Sequence, residues 1–231
     1  MIKSKEEIEK LRKASSLADD CFEYICDTIK IGMTEKEIAK LIDDYMLSNG
    51  ATALAFETIV GSGENSSQIH STPSDRKIVY GDIILLDFGC VVDGYCSDIS
   101  RTIFIGETKE EYKKIYEIVL KSQLEGVSKI TSGITAKEAD LICRNVINAE
   151  GYDFNHSVGH GVGMEVHEAP TISPKNEGVI LQNDMVFTIE PGIYLEGKFG
   201  IRIEDTVLLK DGKVETLNKV SKEIIVLDKT I

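Results

Sequence analysis

Positive charge is scarce in this chain of 231 residues, where 26 Lys and Arg stand against 39 Asp and Glu for a formal charge of −13. Affinity for a phosphate backbone rests on clustered cations, so neither nucleic acid nor an anionic membrane is an expected partner. Long apolar runs are also missing. No stretch approaches the roughly 18 apolar residues that span a bilayer, and the start, Met1-Ile-Lys-Ser-Lys-Glu-Glu, lacks the apolar run of a signal peptide. A cytoplasmic location is therefore expected. The five cysteines (Cys21, Cys26, Cys90, Cys96, Cys143) are odd in number and form no C-x-x-C pair, which argues against a disulfide framework or a thiolate zinc site. They read as reduced, mostly structural thiols. There are only four histidines, so the place of each is informative.

Proline-rich linkers and low-complexity tracts are absent as well, and 42% apolar with 28% charged residues is the mixture of a soluble globular chain. Four segments join an N-cap residue to an acid three places on, followed by apolar residues at helical spacing. They begin at Ser4 (Glu7), Thr34 (Glu37), Thr108 (Glu111) and Thr135 (Glu138). The first two helices carry apolar faces of Ile8, Leu11, Ala18, Cys21 and Ile25, then of Ile38, Leu41, Ile42, Tyr45 and Met46. A shift of 101 residues lays Gly32-Met-Thr-Glu-Lys-Glu on Gly133-Ile-Thr-Ala-Lys-Glu, Gly50 on Gly151, and the second apolar face on positions 139 to 147. The pattern indicates an internal duplication of a helix-helix-strands unit. Candidate strands are Ala55–Gly61, Asp82–Val92, Tyr95–Ile105, Asp184–Glu190, Gly200–Leu209 and Glu223–Leu227. The expected architecture is one α+β domain over 1–231, made of similar halves at about 1–107 and 108–231, with a site in the cleft between them.

Acidic residues fall where a core should be. In Ile83-Ile-Leu-Leu-Asp87-Phe-Gly an ionised Asp would cost several kcal/mol unless paired or metal-bound. Asp93-Gly94 is a strong hairpin signal, and that turn sets Asp87 opposite Ser100 and Asp98 diagonal to Asp87 on the same face. A second hairpin centred near Gly197 sets Glu190 opposite Glu204, with Arg202 available to neutralise an acid, Glu204 more readily than Glu190. Close like charges are commonly resolved by a shared proton or by a cation between them. The run His156-Ser-Val-Gly-His160-Gly-Val-Gly places both rings on one side of an extended segment, and His167 completes three histidines within twelve residues. His70, in a polar stretch before the first acidic strand, alone would read as a surface residue. Four convergent carboxylates and at least one imidazole suit two divalent ions bridged by carboxylates. With no serine elbow and no phosphate loop, metal-assisted hydrolysis is the reaction class that remains.

These residues resemble the metallopeptidases of the creatinase, prolidase and methionine aminopeptidase superfamily, which have the pita-bread fold. The resemblance covers essentially the whole chain. It is carried by Leu86-Asp-Phe-Gly, Gly94-Tyr-Cys-Ser-Asp98-Ile-Ser-Arg-Thr, His156-Ser-Val-Gly-His160-Gly-Val-Gly, Val166-His-Glu-Ala-Pro, Thr188-Ile-Glu190-Pro-Gly-Ile-Tyr and Gly200-Ile-Arg-Ile-Glu204-Asp-Thr. The resemblance implies a pseudo-twofold fold around a curved antiparallel sheet. It also implies five metal ligands, Asp87, Asp98, His160, Glu190 and Glu204, with Asp98 and Glu204 bridging. Three of the motifs look like aminopeptidase P and Xaa-Pro dipeptidase, which implies a dinuclear exopeptidase cleaving before proline in short peptides through a metal-bridging water. The ions would be Mn²⁺ first, with Co²⁺, Zn²⁺ or Fe²⁺ also compatible. Glu190 would move the proton, His156 would donate to the oxyanion, and His70 and His167 would orient the substrate. Tyr194 and Arg202 would support them from behind. Methionine aminopeptidase-like activity and a non-catalytic peptide-binding relative are the alternatives, and the complete ligand set argues against the second. Prolidases and aminopeptidases P usually carry a further N-terminal domain, which this chain is expected to lack, either as an excised catalytic domain or as a short form. A homodimer is the assembly considered.

Overall fold

The computed structural model describes residues 1–228 of the chain. Helices α1 (Lys5–Thr28) and α2 (Glu35–Ser48) start on capping boxes, Ser4 with Glu7 and Thr34 with Glu37. Helix α3 (Glu110–Lys129) does not start on the expected one. Lys109 is its N-cap and makes no side-chain cap bond, while Thr108 is buried one residue earlier with its hydroxyl unpaired. Glu110 and Glu111 instead bring negative charge to the first turn, where the helix dipole favours it. Helix α4 (Ala136–Ala149) starts on the box of Thr135 and Glu138. Helices α2 and α4 are both 14 residues long, and their starts (35 and 136) and stops (48 and 149) are each 101 positions apart, the offset read from the sequence.

After the first helix pair come β1 (Ala53–Leu54), β2 (Ile59–Ser62), β3 (Ile83–Phe88), β4 (Cys90–Val92), β5 (Tyr95–Cys96) and β6 (Ile99–Ile105). The second pair is followed by β7 (Gly159–Gly161), β8 (Glu168–Ile172), β9 (Val186–Ile189), β10 (Gly192–Leu195), β11 (Phe199–Arg202), β12 (Asp205–Lys210), β13 (Lys213–Thr216) and β14 (Val226–Leu227). Hydrogen bonding divides them into a four-stranded sheet β14-β6-β3-β2, a five-stranded sheet β13-β12-β9-β7-β8, and smaller sheets β1-β4-β5 and β10-β11. Pairings are antiparallel except that β14 runs parallel to β6.

The long strands expected from the sequence are interrupted. Asp82–Val92 breaks at Gly89, where a Cβ would lie 2.0 Å from the Ser97 carbonyl oxygen. Gly200–Leu209 breaks at Ile203-Glu204, and Ala55–Thr58 lies outside any strand. Strands β7, β8, β10 and β13 are too short, or in β7 too glycine-rich, to show an alternating pattern of their own.

The two largest apolar cores flank the strands, and a third, smaller one packs Ile8 and Leu11 of α1 with Val186 and Leu208. Cys21, Ile25, Ile38 and Ile42 from α1 and α2 pack with Ile84, Leu86, Phe88 and Ile103, while Tyr116, Val119, Cys143 and Ile147 from α3 and α4 pack with Phe187, Ile189 and Val207. Side chains alternate across a strand, so with Leu86 and Phe88 facing one core, Asp87 faces away from it, and with Phe187 and Ile189 facing the other, Thr188 faces away. Those second faces meet at the site. No helix among the described residues is long and apolar enough to cross a membrane.

Candidate metal centre

The Asp93-Gly94 turn has positive φ at both residues (50° and 81°), the geometry of a tight two-residue hairpin. It pairs Val92 with Tyr95 and, further out, Asp87 with Ser100, as the sequence requires. Asp98 falls in the gap between β5 and β6 rather than inside a strand. In the second hairpin Gly192 pairs with Arg202 and Ile189 with Asp205, so Glu190 and Glu204 face one another across a gap in both ladders. Pro191 in that gap has no N–H to offer a ladder, and the freed backbone is used elsewhere. Glu190 N–H donates to the Val158 carbonyl at 2.8 Å, and Glu204 N–H donates to the Ser100 carbonyl of the first half at 3.1 Å. Three carboxylates thus sit on short interruptions, and the fourth, Asp87, on a strand.

All four carboxylates and all four histidines line one cavity of about 750 Å³, together with Arg202. His156 and His160 are half-buried, whereas His70 and His167 are exposed. Potential ligand atoms of Asp98, His160 and Glu204 lie within 4.8 Å of one another. His160 Nε2 is 3.4 Å from Asp98 Oδ2 and 3.3 Å from Glu190 Oε1. The edge of the His160 ring meets His167, with centroids 4.2 Å apart. Tyr194 is not in the cavity wall. Its hydroxyl accepts from Arg202 Nη1 at 2.8 Å and lies 3.2 Å from His156 Nε2.

Burial pushes Asp98 well above the usual carboxylate range, with Glu204, Asp87 and Glu190 adding repulsion. Burial likewise raises Glu204, and Glu190 next to it rises to about 7. Burial lowers His160, favouring a neutral ring, and His160 Nδ1 lies 3.2 Å from the Gly161 carbonyl. A proton on Nδ1 leaves the Nε2 lone pair aimed at carboxylate oxygens, an arrangement that a cation relieves. Asp87 Oδ1 is buried without a hydrogen-bond partner in the protein, although Oδ2 takes Arg202 Nη2. An orphaned buried oxygen, a converging lone pair and acids held from ionising are what a divalent-metal site with oxygen ligands and one imidazole presents. The residues fit such ions.

Arg202 does not neutralise Glu204 directly. It pairs with Asp87, while its Nε donates to Ser100 Oγ at 2.8 Å, and that hydroxyl donates on to Glu204 Oε2 at 2.6 Å. Ser100 therefore links the two halves of the carboxylate set. Its place was readable from the hairpin register, but the function of its hydroxyl was not. Thr188 was missed as well. It donates to Glu190 Oε1 and accepts from the His160 N–H, both at 3.1 Å. Alternation away from the Phe187 and Ile189 core was the available signal. His156 is held at about 4 by burial and by the charge of Arg202. Its Nδ1 lies 2.7 Å from the Ser157 carbonyl, so in the neutral ring Nδ1–H donates there and Nε2 accepts from Tyr194. As arranged, the oxyanion-donor role expected of His156 needs a protonated ring or a change of partner.

Comparison with known proteins places this geometry. Residues 9–211 match the profile of metallopeptidase family M24. An Xaa-Pro dipeptidase from Pyrococcus horikoshii is 44% identical over 227 residues, which cover 97% of this chain and 64% of that protein. The structure of an Xaa-Pro dipeptidase from Bacillus anthracis superposes with a TM-score of 0.96 at 42% identity, covering 98% of this chain and 64% of the other. That of an X-Pro aminopeptidase from Thermotoga maritima gives 0.94 at 45% identity, covering 98% and 64%. The chain thus spans just under two thirds of the length of these relatives, and its fold is the pita-bread arrangement that the sequence motifs implied.

Proposed function

The chain belongs to metallopeptidase family M24, and on that premise we propose that it is a metal-dependent exopeptidase that hydrolyses the bond between an N-terminal residue and proline in short peptides. The observation that carries the proposal is the single cavity in which Asp87, Asp98, His160, Glu190 and Glu204 converge with His70, His156 and His167. Asp87, Asp98, His160, Glu190 and Glu204 would hold two divalent ions, Mn²⁺ in the first place and Co²⁺, Zn²⁺ or Fe²⁺ as compatible substitutes. When bound, such ions supply Lewis acidity, polarising a carbonyl and acidifying water.

The remaining steps belong to the protein. Glu190, with one oxygen held by Thr188, would take a proton at Oε2 and return it to the leaving proline nitrogen. Arg202 keeps Asp87 oriented, and through Ser100 it keeps Glu204 oriented. Exposed His70 and His167 are the proposed contacts to the peptide, and the chain from Arg202 through Tyr194 fixes the ring of His156. A peptide panel tests the reading. With Mn²⁺ the protein should release the first residue from Ala-Pro or Arg-Pro-Pro in preference to Met-Ala-Ser, and chelation should abolish the release. Cleavage of Met-Ala-Ser alone would instead support the methionine aminopeptidase-like reading.

A further inference from the structure

We propose that Glu35, which lies outside the cavity, is a positioning residue for His70 and sets the affinity for peptide more than the rate of bond breaking. The role of His70 rests on the exopeptidase reading above, but the fastening by Glu35 stands on its own contacts.

Glu35 is the first residue of α2 and is fully buried. Its Oε1 accepts from the Ser62 N–H at 2.7 Å and the Ser62 hydroxyl at 2.6 Å, and its Oε2 accepts from the Ser74 N–H at 3.0 Å and the Ser74 hydroxyl at 2.6 Å. Asn65 Nδ2 reaches both oxygens, at 3.1 and 3.2 Å. The nearby cation is directed elsewhere, since Arg76 donates to Ser62 Oγ and to both oxygens of Asp82. These donors come from the two ends of one loop. Ser62 and Asn65 precede residues 66–73, Ser74 follows them, and Ile69, His70, Ser71, Thr72 and Pro73 line the cavity. One carboxylate therefore closes the base of the loop that carries His70. The other half holds its far side, where Gly200 N–H donates to Ser66 Oγ at 2.9 Å and Arg202 Nη1 to the Ile69 carbonyl at 3.3 Å.

The chemistry calls for a group that only accepts. The N–H groups of Ser62 and Ser74 are fixed by the backbone and approach opposite oxygens, so a glutamine in either orientation sets its NH₂ against one of them. Glu35→Gln thus opens one end of the loop with almost no change of volume.

The test combines steady-state kinetics of Mn²⁺-loaded protein on Arg-Pro-Pro with hydrogen-deuterium exchange. Glu35→Gln should raise KM about tenfold with kcat changed less than about twofold, and should speed exchange in residues 62–74 while the strands keep their protection. Ser74→Ala, which removes one hydroxyl and spares the carboxylate, should move both readouts the same way by a smaller factor. It carries the test if Glu35→Gln fails to fold. A variant with lowered Tm but unchanged KM and unchanged exchange at 66–73 would make Glu35 a scaffold residue and overturn the proposal, as would faster loop exchange with KM unchanged. Should the unmodified protein cleave no peptide, the exopeptidase reading fails, and the exchange pattern alone then decides whether Glu35 holds the loop.

Discussion

Both halves of the molecule tie a histidine-bearing segment to their second helix through a buried carboxylate, but the two are wired differently. In the first half Glu35 accepts only from neutral donors at Ser62, Asn65 and Ser74. In the second, Asp140 on α4 accepts from the Val158 N–H at 3.0 Å and pairs with Arg144, which donates on to the carbonyls of Phe154 and His156 at 2.7 and 2.8 Å. On the 101-residue offset Glu35 falls on Ala136 and Asp140 on Ala39, so neither fastening copies the other. What repeats is the scaffold of capped helix, turn and strand. The attachments that place functional side chains are specific to each half. The halves also secure one another, because Arg202 of the second pairs with Asp87 of the first, while Ser100 and Arg101 of the first hold the side chain and carbonyl of Glu204.

The largest effect that would sharpen this comparison is at Glu190, the one carboxylate given a proton to move. Glu190→Gln should lower kcat about 10³-fold with KM changed little, measured on Arg-Pro-Pro. A near-normal rate would remove Glu190 from the chemistry. Next come the two buried arginines. Arg202→Met strands Asp87 and Arg101→Met weakens the set around Asp205, and each should cost about 3–5 kcal/mol in urea unfolding. Measured against the unmodified protein at the same Mn²⁺, metal should shrink the first loss more than the second, since Asp87 belongs to the cavity set and Asp205 does not. Equal recovery would break that distinction.

A smaller effect concerns pH. Glu190 ionises near its ordinary 4.5 in the unfolded chain but near 7 when folded, and Asp98 and Glu204 are raised in the same direction. In that window the unfolded state binds fewer protons, so metal-free protein should lose stability as pH rises from about 4.5 to 7, by up to about 1.4 kcal/mol per pH unit for each group. Urea midpoints between pH 5 and 7, with and without Mn²⁺, would check this, and metal should flatten or reverse the trend. The smallest effects are at the helix caps. Thr34→Ala and Thr135→Ala should each cost about 1 kcal/mol, equally in the two halves, whereas Thr108→Val should cost nothing because that hydroxyl caps no helix.

Local signals made much of this legible in advance. The Asp93-Gly94 turn set the register that puts Asp87 opposite Ser100, and the hairpin centred at Gly197 brought Glu190 to Glu204. Caps and glycine stops gave the duplicated helices. What stayed hidden was long-range. Arg202 lies next but one to Glu204 in sequence yet reaches Asp87, 115 positions away, because alternation and the join between halves decide its direction. Thr108 matched the capping pattern, but burial of that residue shifted the helix start by one. The gaps at Glu190 and Glu204 depend on backbone partners distant in sequence, Val158 and Ser100, and at Asp98 the carbonyl accepts from the Thr206 hydroxyl, which no short window contains.

The central claim is that carboxylates from both halves form a single metal centre, and metal counting tests it most directly. Native mass spectrometry of protein dialysed against Mn²⁺ should find two ions per chain, falling to one or none in Asp98→Ala and in Glu204→Ala alike, although those residues come from different halves. A folded, unmodified protein that retains no metal, or metal retention indifferent to both substitutions, would contradict it.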